Sequence, residues 1–457
     1  MDCHANHDNP YRNSDRHSDR DYHSDPHAHT KPDADGHEHA FPNLDAHANR
    51  NHTASPYRDQ HAHTLADIYF DPVSIDHPKR NPHAHSMNPR GQAVTHQRGQ
   101  TNHIGMNELV SHLKTLSSAP GLSGFEAPVR TLIEAAWRPL ADEISTSRLG
   151  SLHALRRGAA PQPRPSLLLA AHMDAIGLLA AGLSGEFIRL SRVGGIDPRV
   201  LPGQIVTVHG RKELPGVIVR PPNHLLPQEI SQGIATLEYL LVDTGLSAGE
   251  LSRLVRPGDP VSFAQPPFQL SDETLVGHSL DNRASIAALT HCLAALKDRQ
   301  VGWDLWAVAT SQEEVTLGGA LTSSFQLRPS LAVAVDVTFA SSPGSPAHKT
   351  YPLGKGPTLG WGPNIHPALY HAFKNLAERL EIPVTMEAMP HHSGTDAFAL
   401  QIAAEGAPTM LVSIPLRYMH TPVEMVSCKD VARAGRLLAE FAASLEVGFL
   451  ETLSWDG

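Results

Sequence analysis

Residues able to do hydrolytic chemistry recur in this sequence at the ends of short apolar runs. The run Trp303-Asp304-Leu305-Trp306-Ala307-Val308-Ala309-Thr310 leads into Ser311-Gln312-Glu313-Glu314, and Gly318-Gly319 turns the chain just beyond. Adjacent carboxylates repel each other, and a cation or a shared proton is what holds them together. Taken alone, such a pair reads as a solvated acidic turn, since charged side chains are mostly exposed. Its company changes that reading. Ser166–Ala171 delivers His172-Met173-Asp174, Leu331–Val335 ends at Asp336, Thr409–Ile414 feeds Arg417-Tyr418-Met419-His420, and Asp281 stands just ahead of a helical pattern. One His after a strand is ordinarily hydrogen-bonded scaffold. Imidazole and carboxylate repeated at the strand ends of one sheet, where α/β folds collect their ligands, instead match a two-metal hydrolytic site. Cations roughly 3.5–4 Å apart need a bridging carboxylate and mixed nitrogen and oxygen ligands, which suits Zn²⁺, Co²⁺ or Mn²⁺ better than Ca²⁺ or an iron–sulfur cluster.

The elements that would position these groups follow from hydrophobic period. Continuous apolar runs at Ser166–Ala171, Leu331–Val335 and Thr409–Ile414 predict buried strands of a parallel sheet. Leu109, Leu113 and Leu116 predict a helix stopped by Pro120-Gly121, and Val129, Leu132, Ile133, Ala136 and Trp137 a second one. Helices are also expected near Ile286–Leu296, Leu321–Phe325, Pro367–Leu380 and Lys429–Leu445, with a strand near Pro383–Glu387. Residues 177–269 change texture to short β-like pieces punctuated by Gly and Pro, the pattern of a small β-rich domain inserted into an α/β domain. The expected fold is therefore α/β: a central mixed, mostly parallel sheet flanked by helices, built from residues 105–176 and 270–457, with an inserted β-barrel-like domain.

Residues 1–104 stand apart. Asp, His, Asn, Pro, Ser and Arg dominate there, more than half of the chain's 30 histidines are in it, and apolar periodicity is absent. Such a segment buries too little apolar surface to offset its ordering entropy and is expected to be disordered. Its pairs His27/His29, His37/His39, His61/His63 and His83/His85 could hold Zn²⁺ or Ni²⁺ loosely, or be compositional bias alone. Met106-Asn107-Glu108-Leu109 opens the first globular pattern and is an alternative translation start.

Thirty-seven Lys and Arg against 47 Asp and Glu give a net charge of -10, which argues against nucleic acid or an anionic membrane as a partner. Cys3, Cys292 and Cys428 show neither metal spacing nor a disulfide framework, so a reducing, cytoplasmic setting is expected. Membrane-span and signal-peptide patterns are not seen.

Motif order and separations make the comparison specific. His172-x-Asp174, Leu280-Asp281-Asn282-Arg283, Gln312-Glu313-Glu314, Val335-Asp336-Val337-Thr338, Ser393-Gly394-Thr395-Asp396-Ala397 and Ile414-Pro415-x-Arg417-Tyr418-Met419-His420-x-Pro422 resemble the tetrahedral aminopeptidase and glutamyl aminopeptidase family, some of whose members carry the label endoglucanase M. The resemblance runs from about Met106 to the C-terminus. It implies a zinc-peptidase-type fold and an aminopeptidase acting on short peptides with two divalent metal ions per chain. His172 and Asp336 would hold one ion, Glu314 and His420 the other, and Asp281 would bridge. Asp174 would accept the second ring N–H of His172 and fix its tautomer. Glu313 would be the general base toward a metal-bridging water. Asp396 and His392 are candidate substrate contacts, with helix capping by Thr395 or Asp396 the plainer role. The resemblance further implies homo-oligomers, dimer to dodecamer, assembled through the inserted domain. Ala175 departs from the family, where Glu often follows the His-x-Asp, as do His391-His392, where glycine is usual.

A metal-dependent deacylase or carboxypeptidase would use the same scaffold. A glycoside hydrolase would need two carboxylates flanking a sugar and no imidazole–carboxylate metal set, against which His172 and His420 argue. A metal buffer centred on residues 1–104 would lose its function with that segment.

Overall fold

The computed structural model describes residues 105–231 and 236–455. The readings made for residues 1–104, including the His-x-His pairs, lie outside the described residues.

Apolar runs without alternation become strands covered on both faces. Ser166–His172 is buried from Leu167 onward and pairs in parallel with Asp304–Thr310 on one side and Leu331–Phe339 on the other. Leu331–Phe339 pairs in parallel with Thr409–Arg417. The register sets Thr310 opposite His172 and Asp336 opposite Ser413, so residues with chemical capability gather toward the carboxyl ends of the central parallel strands. Antiparallel strands extend this 11-stranded sheet on both sides: Leu152–Arg156 and Glu143–Thr146 beyond Asp304–Thr310, and Glu424–Ser427, Thr274–Gly277 and Phe268–Ser271 beyond Thr409–Arg417.

Helix Leu280–Leu296 is buried almost all round and packs between the sheet and helix Cys428–Ser444. Gly435 permits the close approach, since a Cβ there would come 2.6 Å from the Ala288 carbonyl oxygen. Helices Gly318–Leu327 and Asp396–Ile402 pack on each other and against sheet strands. Among the described residues no helix is long and apolar enough to cross a membrane.

Strands Gly177–Ser184, Phe187–Val193, Ile205–His209, Glu213–Val219, Leu241–Asp243 and Pro260–Phe263 close into a barrel. Alternation along Glu213–Val219 puts Leu214, Gly216 and Ile218 inside, where they join a core separate from that of the sheet. The chain leaves the barrel at Phe263, and Phe268–Ser271 already pairs in the central sheet.

Two expectations shift. The run read as ending at Asp336 continues to Phe339, because buried Val337 and Thr338 keep the ladder with Ile414 and Pro415. Asp336 is thus held inside a strand rather than at its exit. The strand expected from Pro383 begins at Thr385, consistent with the missing N–H of proline.

Candidate active site

His172 ends its strand with the ring buried. Its Nδ1 lies 3.1 Å from the backbone carbonyl oxygen of Asp174. A carbonyl only accepts, so Nδ1 carries the proton and Nε2 is left to face the cluster. Nε2 is 3.1 Å from Asp281 Oδ1, 3.7 Å from Asp336 Oδ1 and 3.8 Å from Glu313 Oε2. The tautomer is therefore set by a backbone oxygen. The Asp174 carboxylate, expected to do that work, is 3.6 Å from Nδ1 and instead accepts the backbone N–H groups of Glu313 at 3.0 Å and Glu314 at 3.2 Å. Those donors open the single helical turn Glu313–Thr316, where a carboxylate cap is favoured.

The turn separates the two glutamates. Glu314 Oε2 points to His420 Nε2 at 3.5 Å, and the same nitrogen is 3.3 Å from Asp281 Oδ2. Asp281 thus presents one oxygen to each histidine. Two groups result, His172–Asp281–Asp336 and Asp281–Glu314–His420, each with ligand-capable atoms within 4.8 Å of one another.

His420 sits in the loop after Thr409–Arg417 with φ 62°, and its N–H donates to Glu424 Oε1 at 3.0 Å. The other Glu424 oxygen accepts the Asp281 N–H at 3.0 Å. Sequence reasoning missed Glu424. Its signal was faint, a single acidic residue at the head of a short strand. Asn282, flagged only as part of a motif, donates its amide to the Val335 carbonyl at 2.9 Å and ties the Asp281 loop to the strand that carries Asp336. The barrel reaches this site too: a Cβ on Gly195 would come 2.8 Å from His420 Nδ1, so only glycine leaves room for that ring.

Asp396 is not at the mouth. It is 1% exposed, with Oδ2 accepting the Thr310 hydroxyl at 2.5 Å, so it belongs to the buried carboxylates behind His172. Thr395 takes the cap role, its hydroxyl accepting the Ala397 N–H at 3.3 Å. His392 is exposed with its ring 4.9 Å from that of Phe398, and neither it nor His391 lines the cavity, whereas Ser393, Gly394 and Thr395 do.

Burial, with the charges of Asp281 and Asp396, pushes Asp336 up to about 8 against the pull of His172. Burial raises Glu313, Glu314 and Glu424 well above the carboxylate range, with neighbouring carboxylates adding to it. Burial disfavours charge on His172, yet Glu313, Asp174, Asp281 and Asp336 together hold it well above its ordinary value. Asp281, despite its burial, is kept below the usual range by its hydrogen bonds to His172 and His420. Buried negative charge here exceeds what two imidazoles can balance, and Glu314 Oε1 is buried with no hydrogen-bond partner. Divalent cations remove that conflict, and the mixed imidazole and carboxylate donors fit them.

The model of the M42 glutamyl aminopeptidase family matches residues 150–437. The chain belongs to that family. It is similar to the lysyl aminopeptidase of Pyrococcus furiosus, 34% identical over 325 residues, which are 70% of this chain and 92% of that protein. Among solved structures it is similar to a TET aminopeptidase from a marine sediment archaeon of the Thaumarchaeota, with TM-score 0.72, 29% identity, and coverage of 76% of this chain and 99% of the other. The TET1 peptidase of Pyrococcus horikoshii, which can assemble into a tetrahedron or a large octahedral shell, matches with TM-score 0.66 and 29% identity over 74% of this chain and 100% of its own. The chain is thus a metallo-aminopeptidase by family, and the His, Asp and Glu cluster lies within the matched region.

Proposed function

We propose that this chain is a dinuclear-metal aminopeptidase that removes N-terminal residues from short peptides. The observation that carries the reading is Asp281, with Oδ1 toward His172 and Oδ2 toward His420. His172 and Asp336 would hold one ion and Glu314 and His420 the other, with Asp281 belonging to both groups. Zn²⁺ or Co²⁺, and next Mn²⁺, suit these donors. When bound, the ions lower the pKa of water toward ~7 and polarise the scissile carbonyl.

Glu313 belongs to neither ligand group and lines the same cavity. It is the general base: it takes a proton from the attacking water and delivers it to the leaving amine. Burial raises its pKa, which makes it a stronger base than an exposed carboxylate. Asp174 holds the turn that aims Glu313 into the cavity and Glu314 toward His420, and Glu424 holds the backbones of Asp281 and His420 together.

Residues 105–176 and the chain from Phe268 onward form the catalytic domain in this reading, and the barrel, Gly177 to Phe263, the domain through which copies assemble. Ile205 and Leu225 support the latter, being apolar and 52% and 69% exposed on the insertion. Assembly as a dimer and upward to a closed shell follows from two-fold contacts. A cytoplasmic setting accords with Cys292 and Cys428, which are free and buried. The test is a panel of aminoacyl-p-nitroanilides and N-acetylated counterparts on Co²⁺- or Zn²⁺-loaded protein. Release of p-nitroaniline confined to free α-amines supports the reading, equal release from the blocked set overturns it, and loss of acetyl without release of p-nitroaniline would favour a deacylase instead.

A further inference from the structure

The cavity that holds the carboxylate cluster, about 460 Å³, also contains a carboxylate that no step above uses, Glu387. It is half-buried on strand Thr385–Ala388. Its Oε1 accepts the Thr338 hydroxyl at 2.6 Å and its Oε2 the Thr358 hydroxyl at 2.6 Å. Contacts this short are those of hydroxyls on a carboxylate, and the pair pins the group in one orientation. Each oxygen keeps a lone pair for a further donor. Thr338 follows Asp336 by two residues in the same strand, so the two side chains share a face about 6.7 Å apart. Phe339, Met389 and Leu317 supply apolar wall, and among the described residues no Lys or Arg lines the cavity.

We propose that Glu387 is the specificity-determining residue for the N-terminal side chain, and that the enzyme prefers peptides beginning with Lys or Arg. The proposal rests on the aminopeptidase reading and gives it a substrate class. A Lys side chain is an apolar four-carbon stem with a charged head. With its α-amine and scissile carbonyl at the metal end, the stem runs along Phe339 and Met389 and the head meets Glu387. An N-terminal Glu would bring a like charge into a cavity already rich in carboxylates. An N-terminal Leu would take Glu387 out of water without offering it a donor.

Two readouts test this. The first is kcat/KM for Lys-, Arg-, Leu- and Glu-p-nitroanilide on the metal-loaded full chain. The second, independent of turnover, is calorimetric binding of L-lysine against L-norleucine, which keeps the stem and lacks the charged head. Lys and Arg substrates should exceed Leu by about 10- to 100-fold, with Glu the poorest, and L-lysine should bind at least about 10-fold tighter than L-norleucine. Glu387→Gln should collapse both ratios, and Glu387→Lys should move preference toward Glu. A wild-type preference for Leu or Glu, equal binding of the two amino acids, or unchanged ratios in Glu387→Gln would overturn the proposal. If no substrate turns over, the aminopeptidase reading has failed, and the lysine–norleucine comparison on wild-type protein still decides the role of Glu387.

Discussion

Glu424 joins the two halves of the candidate metal site through backbone alone, one carboxylate oxygen accepting the N–H of Asp281 and the other that of His420, both at 3.0 Å. Neither bond uses a ligand side chain. The separation between the Asp281 and His420 side chains is set by this buried clamp and by the Asn282 bond to Val335. Glu424→Ala should therefore weaken metal binding by about 10- to 100-fold, the usual cost of losing an outer partner of a ligand. It also strands the buried N–H of Asp281, at about 1–3 kcal/mol, and the part-buried N–H of His420, at less. Competition with a chromophoric chelator measures the first effect and denaturant unfolding the second. Wild-type metal affinity in the variant would mean that Glu424 positions nothing.

Glu313→Gln should lower kcat by about 10²–10⁴-fold with metal content unchanged, because it removes a base and leaves both ligand groups whole. Asp281→Asn should instead lose metal. Turnover by Glu313→Gln above about a hundredth of wild type would reject the general-base role.

The metal-free protein should lose stability between about pH 7 and pH 9. In the folded chain burial carries Asp336 up to about 8, whereas unfolded it titrates near the ordinary ~3.9. Between these two values the folded state binds more protons, so stability falls as pH rises toward the folded pKa and levels off about a unit above it. Burial depresses His112, His153 and His278 to about 4, and they are neutral in both states above their ordinary value, leaving this window clear of them. Metal binding requires the carboxylates ionised, so the gap in melting temperature between metal-loaded and metal-free protein should widen over the same interval. A constant gap from pH 7 to pH 9 would contradict the assignment of Asp336, with its raised neighbours His172 and Glu314, to a metal-binding cluster.

Assembly should depend on the apolar surface of the inserted domain. The full chain at micromolar concentration should scatter light as a dimer or larger, and Ile205→Lys with Leu225→Lys should shift it toward monomer. A monomeric wild type would remove the assembly proposal and leave the metal chemistry standing.

The sequence by itself determined the residue types and their local placement. Apolar runs without alternation marked the buried strands, and a His or carboxylate beside each run marked His172, Glu313, Glu314, Asp336 and His420 as candidates, because burial on both sheet faces leaves a local, period-independent trace. The change of texture near Gly177 likewise marked the insertion that closes as a barrel. What only the tertiary structure decided was which groups meet. Parallel register set Thr310 beside His172 and held Asp336 inside its strand, and register depends on pairing between segments far apart in the chain. Glu424 reads locally as one more acidic residue, and its role appears only when Asp281 and His420 bring their N–H groups to it. Asp396, at a helix start after Thr395, was legible as a cap, while its burial against Thr310 came from the packing of another strand. A buried polar group is defined by partners that the chain supplies from elsewhere, so its role is written in contacts rather than in its own neighbourhood.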